Sequence, residues 1–386
     1  GPPPGAGVWE RLADLFEEEP DGYLRFRRTL LRDAAYSGLP FKLRRKLHSI
    51  VAAHLVEELD FAEEAAGILS LHYHEAGEYQ HALRYGKVAA KQAYEVYAYV
   101  EAARLYSRAL DSGRKLPDLA EADLSIIHQA MGDSWYRAGQ FPKASDAYLA
   151  ARELNKDNPL RDAALLLNSS HVEAKVGNFE QALRRCDEAR AILGGLEGPE
   201  PAQHAARAGG WYAMVLTMMG RMNEAIDWGK RTVTEAEAAS DQEALADAYF
   251  AMGIAYGELG KEEGLTFMKR SLEAYQRAGN IAREADTLST LGSVCHWAGR
   301  WDDALSYYDQ AREEALKIGD TVGAALVRIN TAEVLTDRGE WAEAEVLLME
   351  TLPLWKASQY RFYLGVCLWN LGHVLLRRGR VDDALR

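Results

Sequence analysis

The chain has 386 residues, 48% apolar, 27% charged and 10% aromatic, with a net charge of −13. This is globular composition, too apolar for a disordered chain and too acidic to bind nucleic acid along its whole length. No run of about 18 apolar residues is present to span a membrane, and three widely spaced cysteines (Cys186, Cys295, Cys367) exclude a disulfide framework or a cysteine-rich zinc module.

The opening Gly1-Pro-Pro-Pro-Gly-Ala-Gly7 has neither the charged nor the apolar part of a secretory signal, so a cytoplasmic location is expected. Val8, Trp9, Leu12, Leu15 and Phe16 keep a helical period. After the turn-forming Glu19-Pro20-Asp21-Gly22, the segment Gly22-Tyr23-Leu24-Arg25-Phe26 is a predicted short strand. Two helices follow, divided at Gly38-Leu39-Pro40. Helix, strand, helix, helix is the order of a winged-helix tail, so residues 1–60 are expected to form a small basic winged-helix-like or linker element. Between Gly22 and His48 stand eight Lys or Arg against Asp33 alone, about +7, which leaves about −20 for the remainder. No basic helix with polar base-reading residues stands out, which argues against DNA.

From residue 61 onward one unit recurs: Gly-x-(bulky)-x-x-Ala after an apolar stretch of helical period. Its alanines are Ala82, Ala144, Ala182, Ala225, Ala304, Ala344 and Ala384. Its glycines are Gly77, Gly139, Gly177, Gly220, Gly299, Gly339 and Gly379. A further copy runs through Gly260, with Gly264 in the small-residue position and Met268 and Ser271 after it. Ala102-x-x-x-Tyr106-x-x-Ala109 is the second half of a degenerate copy. The physical reading is a helix ended by a glycine that adopts positive φ, then a second helix whose alanine permits close approach. Tyr148, Tyr308 and Leu348 fill the next layer. Such a hairpin cannot bury its face alone, so it stacks.

This pattern resembles the tetratricopeptide repeat family. The fullest match is Met131-Gly132-x-x-Trp135-x-x-x-Gly139-x-Phe141-x-x-Ala144-x-x-x-Tyr148-x-x-Ala151. The spacing of the last copies is 40 residues, longer than the common 34. That difference implies longer second helices, or loops such as Leu193–Gln203 and Ala278–Ala282. The resemblance implies an all-α, right-handed superhelical solenoid of about eight hairpins over residues 61–386. Arg386 stands two residues past the last alanine, so the last repeat is truncated and the chain is expected to be a piece of a longer protein.

Leu24-Arg-Phe26-Arg-Arg28-Thr-Leu30-Leu31-Arg32-Asp33 and Leu39-Pro40-x-x-Leu43-Arg44-Arg45 resemble a second family. They are similar to the winged-helix and linker region after the nucleotide-binding core of signal-transducing regulatory ATPases. Bacterial class III adenylate or guanylate cyclases with an ATPase and repeat tail, and transcription activators with the same middle, are relatives of that kind. Arg28 stands where this family often has a histidine near the nucleotide. The resemblance therefore implies Arg28 and Arg32 as contacts to a nucleotide or an ATPase core, since arginine can meet phosphate bidentately.

Catalytic motifs are missing: no G-x-x-x-x-G-K-[ST], G-x-S-x-G, H-E-x-x-H or G-x-G-x-x-G occurs. His72 and His74, two apart on a helix, point about 200° from each other and cannot share a metal. Cys295 and His296 are helix neighbours that do not face one another. Asp302-Asp303 and Asp382-Asp383 follow turns directly, where negative charge meets a helix N-terminus. No catalytic residue, metal site or cofactor is expected. Function is expected on the concave face made by the first helix of each hairpin. Counting from the repeat positions, that face includes Tyr136, His171, Lys175, Trp211, Met214, Met218, Phe250, His296, Trp297, Trp369 and His373. Aromatic and Met side chains suit a protein or peptide partner. The expected function is a non-catalytic interaction module, the sensor arm of a signalling ATPase or nucleotide cyclase. The alternative is a small-molecule-sensing arm of a transcription activator, and exposed aromatic stripes also allow a homo-oligomer.

Overall fold

In the computed structural model, which describes residues 13–18, 24–58, 63–155, 157–357 and 361–385, each repeat glycine makes a left-handed turn. Gly77, Gly139, Gly177, Gly220, Gly260, Gly299, Gly339 and Gly379 all have φ between 68° and 85°. At Gly299 the amide bonds the His296 carbonyl at 2.9 Å, and the next amide, Arg300, reaches back to Cys295 at 2.9 Å. These bonds satisfy the carbonyls that a helix end leaves open, so one residue type at one position sets every hairpin.

The chain forms two compact units, Gly1–Asp157 and Asn158–Arg386. In the first, β1 (Phe16–Glu18) pairs antiparallel with β2 (Leu24–Phe26), with Phe16 opposite Phe26 and Glu17 opposite Arg25. The expected helix over 8–16 is corrected where it can be seen. Ala13–Leu15 is one 3-10 turn and Phe16 opens a strand, while 8–12 lie outside the described residues. Cross-strand contacts override the local period: the Phe16 and Phe26 rings are 4.4 Å apart, and Arg25 pairs with Glu17 at 2.6 Å. The expected strand is present at Leu24–Phe26. Helices α1 (Thr29–Ser37) and α2 (Phe41–Glu58) follow, split by Pro40, which disfavours helical backbone at Leu39.

The first unit continues with α3 (Ala66–Ala76), α4 (Tyr79–Glu95), α5 (Tyr99–Gly113), α6 (Glu121–Arg137) and α7 (Phe141–Glu153). Here α3/α4 and α6/α7 are repeat hairpins, and α5, the degenerate copy, is a single helix packed against both α4 and α6. The second unit holds six hairpins: α8 (Pro159–Lys175) with α9 (Phe179–Gly194), α10 (Pro199–Met218) with α11 (Met222–Ala238), and α12 (Gln242–Glu258) with α13 (Glu263–Ala278). Then come α14 (Ile281–Trp297) with α15 (Trp301–Lys317), α16 (Thr321–Arg338) with α17 (Trp341–Ala357), and α18 (Arg361–Arg377) with α19 (Val381–Ala384). First helices α8, α12, α14 and α16 start on Asn158, Asp241, Asn280 and Asp320, whose side chains accept from the N3 amides at 2.8–3.1 Å.

The long period lies in the helices. Second helices α13, α15 and α17 run 16 or 17 residues, and only Gly279-Asn280 separates α13 from α14, so no long loop exists at 278–282. Packing follows the repeat: Ala82, Ala144, Ala182, Ala225, Ala304 and Ala344 are all fully buried. At Gly264 a Cβ would lie 2.9 Å from the Gly253 carbonyl oxygen, so this crossing admits no side chain. Twelve residues before the repeat alanine stands another small residue. Where it is Ser70 or Ser170, the hydroxyl donates to the Ala82 or Ala182 carbonyl at 3.1 and 2.9 Å. Where it is Gly132 or Gly292, the ring of Tyr148 or Tyr308 lies against it.

Candidate partner-binding face

In the second unit the first helices pack side by side, α8 on α10, α10 on α12, α14 on α16 and α16 on α18. Four of the expected residues come together on α8, α10 and α12. The His171 and Trp211 rings are 4.0 Å apart, and Trp211 packs into the cluster that holds Met214 and Phe250. Trp211 Nε1 donates to Ser170 Oγ at 2.9 Å, which fixes the indole. Burial pushes the His171 imidazole down to about 4, and its Nδ1–H donates to the Leu167 carbonyl at 2.8 Å. His171 is thus a neutral, oriented ring.

Met214 and Phe250 are corrected from surface to interior. They are 8% and 9% exposed and pack on Ala213, Ala251, Met268 and Leu291. Helix α12 presses close to α10 here, so these side chains support the face from beneath. Exposure is concentrated elsewhere: Trp297 is 80%, Trp369 78% and Met218 43% exposed. Lys175 and His373 are exposed as well, and Arg377 Nε lies 3.4 Å from His373 Nε2. His296 Nε2 meets Asp337 Oδ2 at 2.8 Å, tying α14 to α16. Tyr136 belongs to the first unit, half-buried and edge-on to Phe141. Arg28 and Arg32 are also in the first unit and exposed at the start of α1, where Arg32 pairs with Asp33 at 2.9 Å.

Sequence reasoning missed the charged frame of this face. Asp247 Oδ1 accepts from Tyr275 Oη and, at 3.0 Å, from Arg283 Nη2. The Arg283 guanidinium lies 5.5 Å from the Phe250 ring centroid and 5.3 Å from that of Tyr275. Burial and the Asp247 charge push the Tyr275 phenol up, and the neighbouring Tyr275 and Asp247 hold Arg283 above its ordinary value despite burial. Arg207 Nε reaches Asp241 at 2.7 Å, and Nη1 reaches Glu243 at 3.2 Å. The available signal was Asp247 itself, the only charge between Glu243 and Glu258.

These groups suit recognition better than bond-making. Ser170 spends its proton on the Ala182 carbonyl, and burial pushes the Cys186 thiol beside it up to about 12. Among the described residues no cluster of three or more His, Cys, Asp or Glu could hold a metal, and no helix is long and apolar enough to cross a membrane.

Residues 283–357 match the family described as Tetratricopeptide repeat. No curated protein matches the chain. A Signal Transduction ATPase with Numerous Domains (STAND) protein with a tetratricopeptide repeat sensor, from Pyrococcus horikoshii, superposes with a TM-score of 0.51 at 14% identity. The match covers 99% of this chain and 57% of that one, so the chain spans little more than half of that protein. A Rap protein complexed with Competence and Sporulation Factor superposes with a TM-score of 0.50 at 14% identity, over 92% of this chain and 98% of that one. The family match over 283–357 and the shared fold support reading the hairpins as tetratricopeptide repeats.

Proposed function

We propose that this chain is the sensor arm of a multidomain signalling ATPase or nucleotide cyclase, and that it binds a protein or peptide on the first-helix face of the second unit. The observation that carries this reading is the contrast on that face. Trp297, Trp369 and Met218 stand out in solvent, while His171, Trp211, Asp247 and Arg283, also on first helices, are fixed by contacts to their neighbours. Large exposed aromatics on a pre-organised frame are the anchors that peptide recognition uses. The likeness to a STAND protein with a repeat sensor supports the context, because it extends through the basic N-terminal segment. The solved Rap complex with its factor supports ligand binding by such repeats. Residues 1–60 would link the array at 61–386 to a core. Partner binding would bias that link by favouring one arrangement of the hairpins.

The test is peptide display on the whole chain. Selected peptides should carry aromatic or aliphatic anchors and lose at least about tenfold in affinity on W297A/W369A, the range of hot-spot truncations. Peptides that bind that variant equally well, or a selection that enriches nothing, overturn the reading.

A further inference from the structure

His72 and His74 point apart on α3, as their spacing requires, and each meets a different neighbour. His74 Nδ1 lies 2.8 Å from Ser112 Oγ on α5. His72 Nδ1 lies 2.8 Å from Nδ1 of His48 on α2, with the two rings 4.9 Å apart. On its other side, His48 Nε2 lies 2.9 Å from Tyr36 Oη of α1. The Arg44 guanidinium lies 5.5 Å from the Tyr36 ring centroid. Tyr36, His48 and His72 thus join α1, α2 and α3 in one chain of contacts, and α1 buries no residue of its own. Both imidazoles are half-buried, so protons reach them from solvent.

Two Nδ1 atoms at this distance form a hydrogen bond only while one of them carries a proton. The Tyr36 hydroxyl can donate or accept, so His48 Nε2 is served in either tautomer. One positive charge on the pair is tolerated, because a charged ring still donates to its neutral neighbour. A second charge sets two N–H groups against each other, and like charges repel where the bond had been. Burial and the neighbouring His48 lower the His72 pKa, whereas a ring released to water returns toward about 6.5. The released form therefore takes up the last proton more readily, and falling pH favours release below about 6.5.

Among the described residues His48 is the one charge that acts on His72. Arg45 of α2 is turned to the Ala76 carbonyl at 2.8 Å, and Glu78, between α3 and α4, accepts from Ser49 of α2 at 2.6 Å. To the apolar cluster of the first hairpin α2 adds Ala52 and Leu55. The histidine pair is therefore a sizeable share of what fastens α2.

We propose that His48 and His72 form a proton-operated latch, which fastens the basic N-terminal segment to the first repeat near neutral pH and lets it go in acid. The latch belongs to the first unit and needs no partner on the second, so it can fail without the peptide-binding reading, and the reverse.

Spin labels on S37C of α1 and E75C of α3, both exposed positions, report the joint in the whole chain, whose three native cysteines are buried. Their distance distribution should be narrow at about pH 7.5 and about twofold broader at about pH 5, with helical circular dichroism unchanged. His72→Asn keeps an oxygen acceptor in place of Nδ1 but cannot take the second proton, so its distribution should stay narrow at both pH values. Histidine-ring NMR gives a second reading. His72 should titrate below about 6.5, and in His48→Asn its midpoint should rise, because the neighbouring charge is gone. Four results overturn the proposal: a wild-type distribution that ignores pH, broadening that comes only with loss of helix, a His72→Asn chain that broadens like the wild type, or a His72 midpoint unmoved by His48→Asn.

Discussion

His171 gives the sharpest test of the rigid frame. Its folded pKa is about 4 against about 6.5 in an unfolded chain. Between these values the unfolded chain binds the proton and the folded one does not, so stability falls as pH drops through 6.5 and the loss is complete below about 4. The span from 6.5 to 4 corresponds to about 3.5 kcal/mol at about 1.4 kcal/mol per pH unit, reduced to about 2–3 kcal/mol because part of the imidazole surface meets solvent. Desolvation is the main cause. The Asp247 charge opposes it, while Arg283 and Lys175 reinforce it. Labelled-histidine NMR on the whole chain should show the His171 ring neutral down to about pH 4. The difference in urea unfolding between the wild type and H171F should narrow by about 2–3 kcal/mol from pH 7 to pH 4. A His171 that titrates near 6.5, or a difference that stays flat with pH, would refute the burial argument and the fixed stack on Trp211.

Other outcomes follow from packing. A Cβ at Gly292 would stand 2.5 Å from the Tyr308 ring, whose hydroxyl is held by Ser293 at 3.0 Å. Gly292→Ala should therefore destabilise by about 1–3 kcal/mol in thermal melts. Gly365→Ala, with nothing within 4 Å, should instead stabilise by up to about 1 kcal/mol, and a common sign for both would defeat the close-approach reading. Asp241 is 4% exposed, caps α12 and holds Arg207. Asp241→Ala should cost about 2–4 kcal/mol, visible as earlier melting and faster amide exchange in α12. W297A/W369A should melt within about 0.5 kcal/mol of the wild type, since both rings stand in solvent. A large drop would mean that they pack and are not free to anchor a partner.

The repeat was legible along the chain because its determinants are local. A glycine at positive φ ends a helix wherever it stands, an alanine allows helices to touch, and a period near 3.6 declares which stripe is buried. Hence Gly139, Ala144 and Tyr148, or Gly299, Ala304 and Tyr308, identify their hairpins unaided, and even Gly264 could be placed in the small-residue position. What lies between hairpins was not legible. Position counting could assign Met214, Phe250 and Trp297 to one face, but burial depends on how closely the next helix approaches. The tight packing of α10 on α12 buried Met214 and Phe250, while Trp297 at the end of α14 stands exposed. Asp247 and Arg283 pair across 36 residues of chain, and the charges that act on His171 include both of them, further still along the sequence. At Phe16 the strand prevailed over a helical period because its stabilising contact, the Phe26 ring, is ten residues away. Local stereochemistry determined the hairpins, and non-local desolvation decided which side chains remain available to a ligand.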